Sequence, residues 1–559
     1  MTDRTAPADE PETDEPTGGT AVLTEEPDTG PAPMSHRQVL EALSGILLGM
    51  FVSMLATSLV SSSLPKIIAD LNGTQSAFTW VVTATLLTTT ISTPIWGKLA
   101  DLGNRKVLIQ VALTISVLSS AAAGMARNTA ELIAARTVQG IGAGGLTALA
   151  VVLIADIISP RERGKYMGLT GAVMAVSMVG GPLIGGVVTD SIGWRWNFYG
   201  SLPFAVAAIV VLQRTLRLPA TPRRRVRLDW GGALLISASV STLLLWVTFA
   251  GDRFAWLSWQ TWTMVGATVV LGLAAVWVES RAAEPLIPLR LFRNRTLVLS
   301  VTGSAAVGVS MFGTSVFLSQ YLQLAKGETP TMSGLMTIPM VVGLFVASTV
   351  SGQMVSRTGH YKWIMATGAG LQVIGLAAMG TIHADTPFWH LAVYMVVLGA
   401  GVGMMMQNFV LAVQNSLSIT DIGAGTSTIA FFRTLGGAMG VSVLGAVLSS
   451  RVSTAMTDGI RTLSLEDQGI AAQALGGGGL PNLSELQLPD SVLSVVHNAF
   501  GDSVPELFLI GAPLSLVGLI AVLLLREVPL HSKTGIEQRA EAEAARSDQD
   551  ADPAEAESH

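Results

Sequence analysis

The chain has 559 residues, half of them hydrophobic, with 13% charged residues and a mean hydropathy of +0.54. A soluble domain of that composition would expose large sticky patches, so it points to a multispanning membrane protein. There is no cysteine, which excludes a disulfide framework and thiol chemistry.

The net charge of −6 hides two opposed parts. Residues 1–36 carry nine acids and one Arg, residues 527–559 nine acids and three bases, and the stretch between them 29 bases against 21 acids. Both tails are expected to be disordered and solvated. The first is acidic before the first apolar stretch, the wrong charge for a cleaved signal peptide, so the first helix stays in place. About twenty apolar residues cross a bilayer core. That ruler gives an all-helical membrane protein with fourteen spans near 40–61, 78–97, 107–125, 131–156, 166–188, 200–217, 231–250, 261–279, 296–318, 331–353, 363–381, 390–411, 424–449 and 503–525. An even count puts both termini on one side. With the tails in the cytoplasm, 24 basic residues fall inside and seven outside, which sets the orientation.

In chain order, the first feature is the turn Gly97-Lys-Leu-Ala-Asp-Leu-Gly-Asn-Arg-Lys106 between the second and third spans. Hydrocarbon cannot solvate its charges, so it lies at a membrane surface. Asp101 can cap a helix end while Arg105 and Lys106 offer donors, a latch between helix groups that a conformational change can break. Plain positive-inside anchoring explains the bases but not the acid between glycines. A weaker echo follows at Gly352-Gln-Met-Val-Ser-Arg-Thr-Gly-His-Tyr-Lys362, so the chain reads as two related halves.

The fourth span holds Arg136, roughly 9 Å inside its outer end, with Gln139 on the same face. A buried membrane Arg is costly and faces a polar cavity or an acid; snorkelling to the surface is the bland alternative. Asp156 stands at the inner end of that span, where an interfacial cap is the rival reading. The fifth span runs Gly180-Gly181-Pro182-Leu-Ile-Gly185-Gly186: spaced glycines permit close helix approach, and Pro182 removes a backbone hydrogen bond. Trp194, Trp196, Trp256, Trp259 and Trp262 read as anchors at the outer membrane surface. Residues 284–295 read as an amphipathic segment along the cytoplasmic face. In the second half, Gln320, Tyr321, Gln323, Met405, Gln407, Gln414 and Asn415 are candidates to line a cavity, because methionine and scattered amides adapt to varied guests. Helix packing is the rival for each Met. Arg433 lies about 13 Å inside its span. Residues 451–502 read as a long extracellular loop.

No phosphate-binding loop, zinc-protease motif or nucleophile elbow stands in convincing context, and the seven His lack metal-ligand spacing. Neither an enzyme nor a metal or other cofactor is expected, nor a nucleic-acid partner.

The turn at 97–106, the stretch Arg136 to Gly144 and the stretch Gly180 to Gly186 resemble, in order and spacing, three motifs of the major facilitator superfamily. Residues 194–199, 285–292, 320–323 and Phe432-Arg-Thr-Leu-Gly-Gly437 are similar to its fourteen-helix drug:proton antiporter branch. The resemblance implies a six-helix bundle over 37–217, a linker with two inserted spans over 218–295, and a second bundle over 296–526. It also implies a monomer exporting lipophilic small molecules by alternating access across a bacterial inner membrane, in exchange for protons. A lipid transporter of the same fold is the alternative. Two positions depart from the pattern. The family's first-helix Asp falls at Ala56, which leaves Asp156 as the candidate proton carrier, with Asp190, Glu131 and Asp229 at other helix ends as weaker ones and Arg136, Gln139 and Arg433 as further charge-coupling candidates. The glycine of the first turn falls at Asn104, which is expected to adopt the left-handed backbone there.

Overall fold

The computed structural model describes residues 36–71, 75–158, 169, 173, 176, 177, 180, 181, 184–189, 191–215, 229–250, 254–282, 285–328, 330–418, 421–475 and 489–530. The helices are α1 (His36–Asp70), α2 (Gln75–Leu102), α3 (Arg105–Gly124), α4 (Thr129–Ile157), α5 (Arg195–Tyr199), α6 (Ser201–Thr215), α7 (Trp230–Phe249) and α8 (Trp259–Glu279). After a 3-10 turn at Leu289–Arg293 come α9 (Arg295–Gln320), a π turn at Tyr321–Ala325, α10 (Pro330–Met336), α11 (Ile338–Thr358), α12 (Lys362–Met379), α13 (Phe388–Ser416), α14 (Ile422–Arg461), α15 (Leu465–Leu475) and α16 (Asp490–Leu524). The described part of the fifth span, 169–189, is helical too.

Twelve helical stretches among the described residues are long and apolar enough to cross a membrane. Of the fourteen expected spans, 166–188 falls mostly outside the described residues, and 78–97 lies in α2, which is not among the twelve. Seven threonines lower the hydropathy of α2. Their hydroxyls bond the carbonyls one turn back, as Thr89 does to Thr85 O at 2.7 Å and Thr93 to Thr89 O at 2.7 Å. Such satisfied hydroxyls can be buried between helices. Thr90 is fully enclosed.

Sequence sets the helix starts by side-chain caps. Asn128, Ser258 and Asn294 each accept from a backbone N–H in the first turn of α4, α8 and α9. Packing follows chain order in two groups. α4 lies against α2 and α3, and α1 against α6; α14 and α16 lie against α9, and α13 against α11 and α12. The first group encloses Leu43, Ile46, Leu113 and Leu149, and the second Tyr321, Leu376, Met395 and Phe500. α14 reaches across to α2 and α4, and α7 rests on both α2 and α14.

Two expectations change. The stretch 451–502 is largely helix, not an irregular loop: α14 continues to Arg461, α15 follows, and α16 starts at Asp490, with 476–488 outside the described residues. At 40 residues α14 is about 60 Å long, twice a bilayer core. The hydropathy ruler stops where apolar residues stop, but a helix continues until something breaks it. Gly459, the one glycine in 451–461, is instead the contact point for Val495 of α16. The second change is Trp194, 2% exposed and packed edge-on against Phe198 rather than anchoring at a surface. Trp196, Trp259 and Trp262 are exposed.

Candidate functional site

Arg136 and Gln139 lie three residues apart on α4 and so share a face. Arg136 Nη1 donates to Gln139 Oε1 at 2.6 Å, and Gln139 Nε2 donates to Ser120 Oγ of α3 at 2.9 Å. Arg136 is 3% exposed, and its Nε is enclosed without an acceptor among the described residues. Among the described residues no carboxylate bonds it. Gln139 and Ser120 line a narrow crevice with Ser53, Ala56, Ser116 and Ser201. Ala56 thus lines the same crevice as Gln139, the partner of the buried guanidinium. The crevice wall is hydroxyls, one amide and methyls, with a guanidinium behind it.

Arg433 of α14 is also buried, and among the described residues it bonds no carboxylate. Its carbonyl oxygen lies where a Cβ on Gly308 would fall, so α9 and α14 cross in backbone contact there.

The C-terminal part of α2 meets α14. A Cβ on Gly97 would collide with Ser427 Oγ and lie 3.1 Å from Gly423 O, so nothing larger than glycine fits as the helices stand. Further along, Leu87 and Ile91 of α2 join Phe431 and Leu435 of α14 and Val240 and Leu244 of α7 in one apolar cluster. The backbone of Asp101 is helical, and its side chain lies outside the described residues. Arg105 is 4% exposed and its Nε donates to Ala100 O at 2.7 Å, while Lys106 Nζ reaches Gln213 O at 2.9 Å at the end of α6. Asn104 departs from expectation. With φ −72° and ψ 106° it is extended, not left-handed, because its side chain caps α3, accepting from Lys106 N and Val107 N. A cap residue needs that extended backbone.

Gly181 and Gly185 of the fifth span face α1. A Cβ on Gly181 would collide with Ser58 Oγ, and Gly185 O accepts from Ser63 Oγ at 3.1 Å. Gly180 has room, Gly186 is half-buried, and Pro182 lies outside the described residues, as does the side chain of Asp156. Sequence reading missed the network joining these helices. Ser63 Oγ meets Thr189 Oγ1 at 2.6 Å, and Asn197 Nδ2 donates to both, at 2.8 and 2.7 Å. The signal was an amide inside the aromatic run 194–199, which reads as surface until burial is known.

The second-half candidates are spread out. Tyr321 is enclosed with its hydroxyl donating to His383 O at 2.6 Å, and Met405 sits in an apolar core. Gln414 Nε2 donates to Thr426 Oγ1 at 3.0 Å, and Asn415 Nδ2 to Val528 O and Pro529 O at 3.2 and 3.0 Å. Those two amides tie α13 to α14 and to the segment after α16. Gln320, Gln323 and Gln407 are half-buried.

The family model for the Major Facilitator Superfamily matches residues 46–441. This chain belongs to the major facilitator superfamily. It is therefore a multi-pass membrane transporter of small molecules and not an enzyme. It is 33% identical over 526 residues to the multidrug transporter protein MdtP of Bacillus subtilis, covering 90% of this chain and 96% of that one. It is 35% identical over 493 residues to an uncharacterized MFS-type transporter of Mycobacterium tuberculosis, covering 87% of this chain and 69% of that one. Among solved structures, a bacterial homolog of the human lysosomal transporter Spinster superposes with a TM-score of 0.54 at 16% identity, covering 89% of this chain and all of that one. That likeness is one of major facilitator fold.

Proposed function

We propose that this protein exports lipophilic small molecules from a bacterial cell by alternating access, in exchange for protons, with fourteen spans and both termini in the cytoplasm. The relatedness to MdtP supports the export reading, and the asymmetry of basic residues supports the orientation. On that orientation the Gly97–Ser427 contact closes the cytoplasmic end of the route, and α2 and α14 must part to admit cargo.

The observation that carries the cargo class is the Arg136–Gln139–Ser120 network beside Ala56. A buried guanidinium without a carboxylate repels a permanent cation and costs little beside a neutral or zwitterionic guest. Neutral and zwitterionic lipophiles are thus the cargo, and monocationic dyes are poor substrates. Uptake of both classes into inverted vesicles, with and without an imposed pH gradient, tests this. Ala56→Asp is expected to raise dye transport severalfold, by supplying the missing counter-charge. Equal handling of cations and neutral compounds, unmoved by Ala56→Asp, defeats the cargo assignment. Transport indifferent to the gradient defeats proton exchange.

A further inference from the structure

The inserted helices carry a charge cluster that the transport route leaves unexplained. Asp229 caps α7, its Oδ1 accepting from Gly232 N at 2.8 Å. Its second oxygen, Oδ2, is enclosed and has no donor among the described residues. Glu279 ends α8 and is 4% exposed; Oε1 accepts from Leu286 N at 3.2 Å and Oε2 from Ile287 N at 3.3 Å. Both carboxyls crowd Gly232. A Cβ on that glycine would lie 2.5 Å from Asp229 Oδ2 and 2.5 Å from Glu279 Oε1, so the two oxygens are at most twice that distance apart.

Two carboxylates so close, one of them nine-tenths buried, repel strongly when both are ionised. One proton shared between them removes the repulsion and supplies the donor that Asp229 Oδ2 lacks. Among the described residues, the charged side chains acting on Glu279 are Asp229 of α7 and Lys98 of α2. Arg281 stacks over Trp277 at 4.2 Å, and Asp421, at the head of α14, pairs with Arg290 at 2.8 Å.

We propose that Asp229 and Glu279 form a proton-binding site in the inserted helix pair, sharing one proton, with α2 setting its affinity through Lys98. Lys98 directly follows Gly97, the residue in contact with α14. When α2 leaves α14, the cation withdraws and the pair holds its proton more tightly; when α2 returns, the proton is loosened. The movement rests on the alternating access proposed above, whereas the site itself is testable without transport.

The test is a pH titration of the purified full-length protein by infrared difference spectroscopy, following the C=O band of protonated carboxyls. The natural protein should lose a component of that band well above the ordinary carboxylate range. Asp229→Asn, which retains a capping side chain, and Glu279→Gln should each lack this component. Lys98→Gln should move its midpoint up by about one pH unit. Persistence of the component in both carboxyl variants overturns the site, and an unmoved midpoint in Lys98→Gln overturns the link to α2. If Glu279→Gln does not fold, Asp229→Asn and Lys98→Gln decide both points. A normal titration in a protein whose export ignores the pH gradient supports the site and defeats the proton-exchange reading.

Discussion

The two charged turns share a spacing and differ in what holds them. In the first, Asn104 stands seven residues after Gly97; in the second, Gly359 stands seven after Gly352. Gly359 takes the left-handed backbone, φ 74°, and closes α11. Asn104 instead stays extended and caps α3 with its own side chain. The start of α12 has no such cap on its own residue. It borrows one from the far end of the chain, where Glu527 Oε1 accepts from Tyr361 N at 2.6 Å and Lys362 N at 3.0 Å. Glu527 Oε2 also meets His360 Nδ1 at 3.2 Å, and Tyr361 is fully enclosed with its hydroxyl accepting from Val528 N at 3.1 Å. The first turn sits beside a helix of the other half through Gly97. The second is fastened within its own half. A repeated motif therefore supplies geometry twice, and under the proposed alternating access the contact that must open is the one where the neighbour is α14.

Gly97→Val should break that comparison most severely. Its branched side chain cannot coexist with Ser427 and Gly423, so export should fall at least about tenfold while membrane insertion is kept. Gly359→Ala is the control. Its left-handed backbone costs about 1–2 kcal/mol of stability, but export per folded molecule should hold. Vesicle transport normalised to folded protein, with melting curves for both variants, decides it. Equal transport losses would mean that the turns do the same job.

Next is Asp101→Asn, which keeps shape and removes charge. It should cut turnover severely with an unchanged melting temperature, whereas Ser356→Ala, at the corresponding place in the second turn, should do neither. Normal export by a well-expressed Asp101→Asn variant reduces the first turn to a topological anchor.

Glu527→Gln should act on stability instead. It weakens charge-assisted bonds to two backbone donors, a cost of about 1–2 kcal/mol for a partly exposed group. Denaturation of the two proteins measures it, and an unchanged midpoint shows that water caps α12 equally well.

The smallest effect concerns pH. Burial pushes the Tyr361 hydroxyl above its usual 10.0, so the folded state holds that proton more tightly than the unfolded chain does. Its contribution is full below pH 10 and is lost as pH rises through the folded value. Tyr361→Phe should flatten the alkaline fall in stability while costing about 1 kcal/mol at neutral pH from the lost bond to Val528 N. An identical alkaline slope in both proteins removes Tyr361 from that account.

Much of this was legible in the residues. The pairing of Arg136 with Gln139 follows from a three-residue spacing on a helix, and the closeness of the Gly181 contact from the glycines themselves. Asn104 was misread because turn glycine and helix cap call for opposite backbones, and the sequence does not say which end of the turn the residue serves. Trp194 was misread because an indole suits both an interface and a core. Gln414 and Asn415 looked like cavity groups, but their partners, Thr426 and the carbonyls of 528 and 529, are up to 114 residues away.

What the sequence determined by itself is whatever depends on local chemistry: apolar runs long enough to need a bilayer, charges that must leave it, caps, and glycines that permit contact. Tertiary structure alone decided which distant groups meet: Gly97 with Ser427, Ala56 with Gln139, Glu527 with the start of α12, and Asp229 with Glu279 around Gly232. Those meetings depend on how helices cross, a property of summed packing over many side chains that no local pattern encodes.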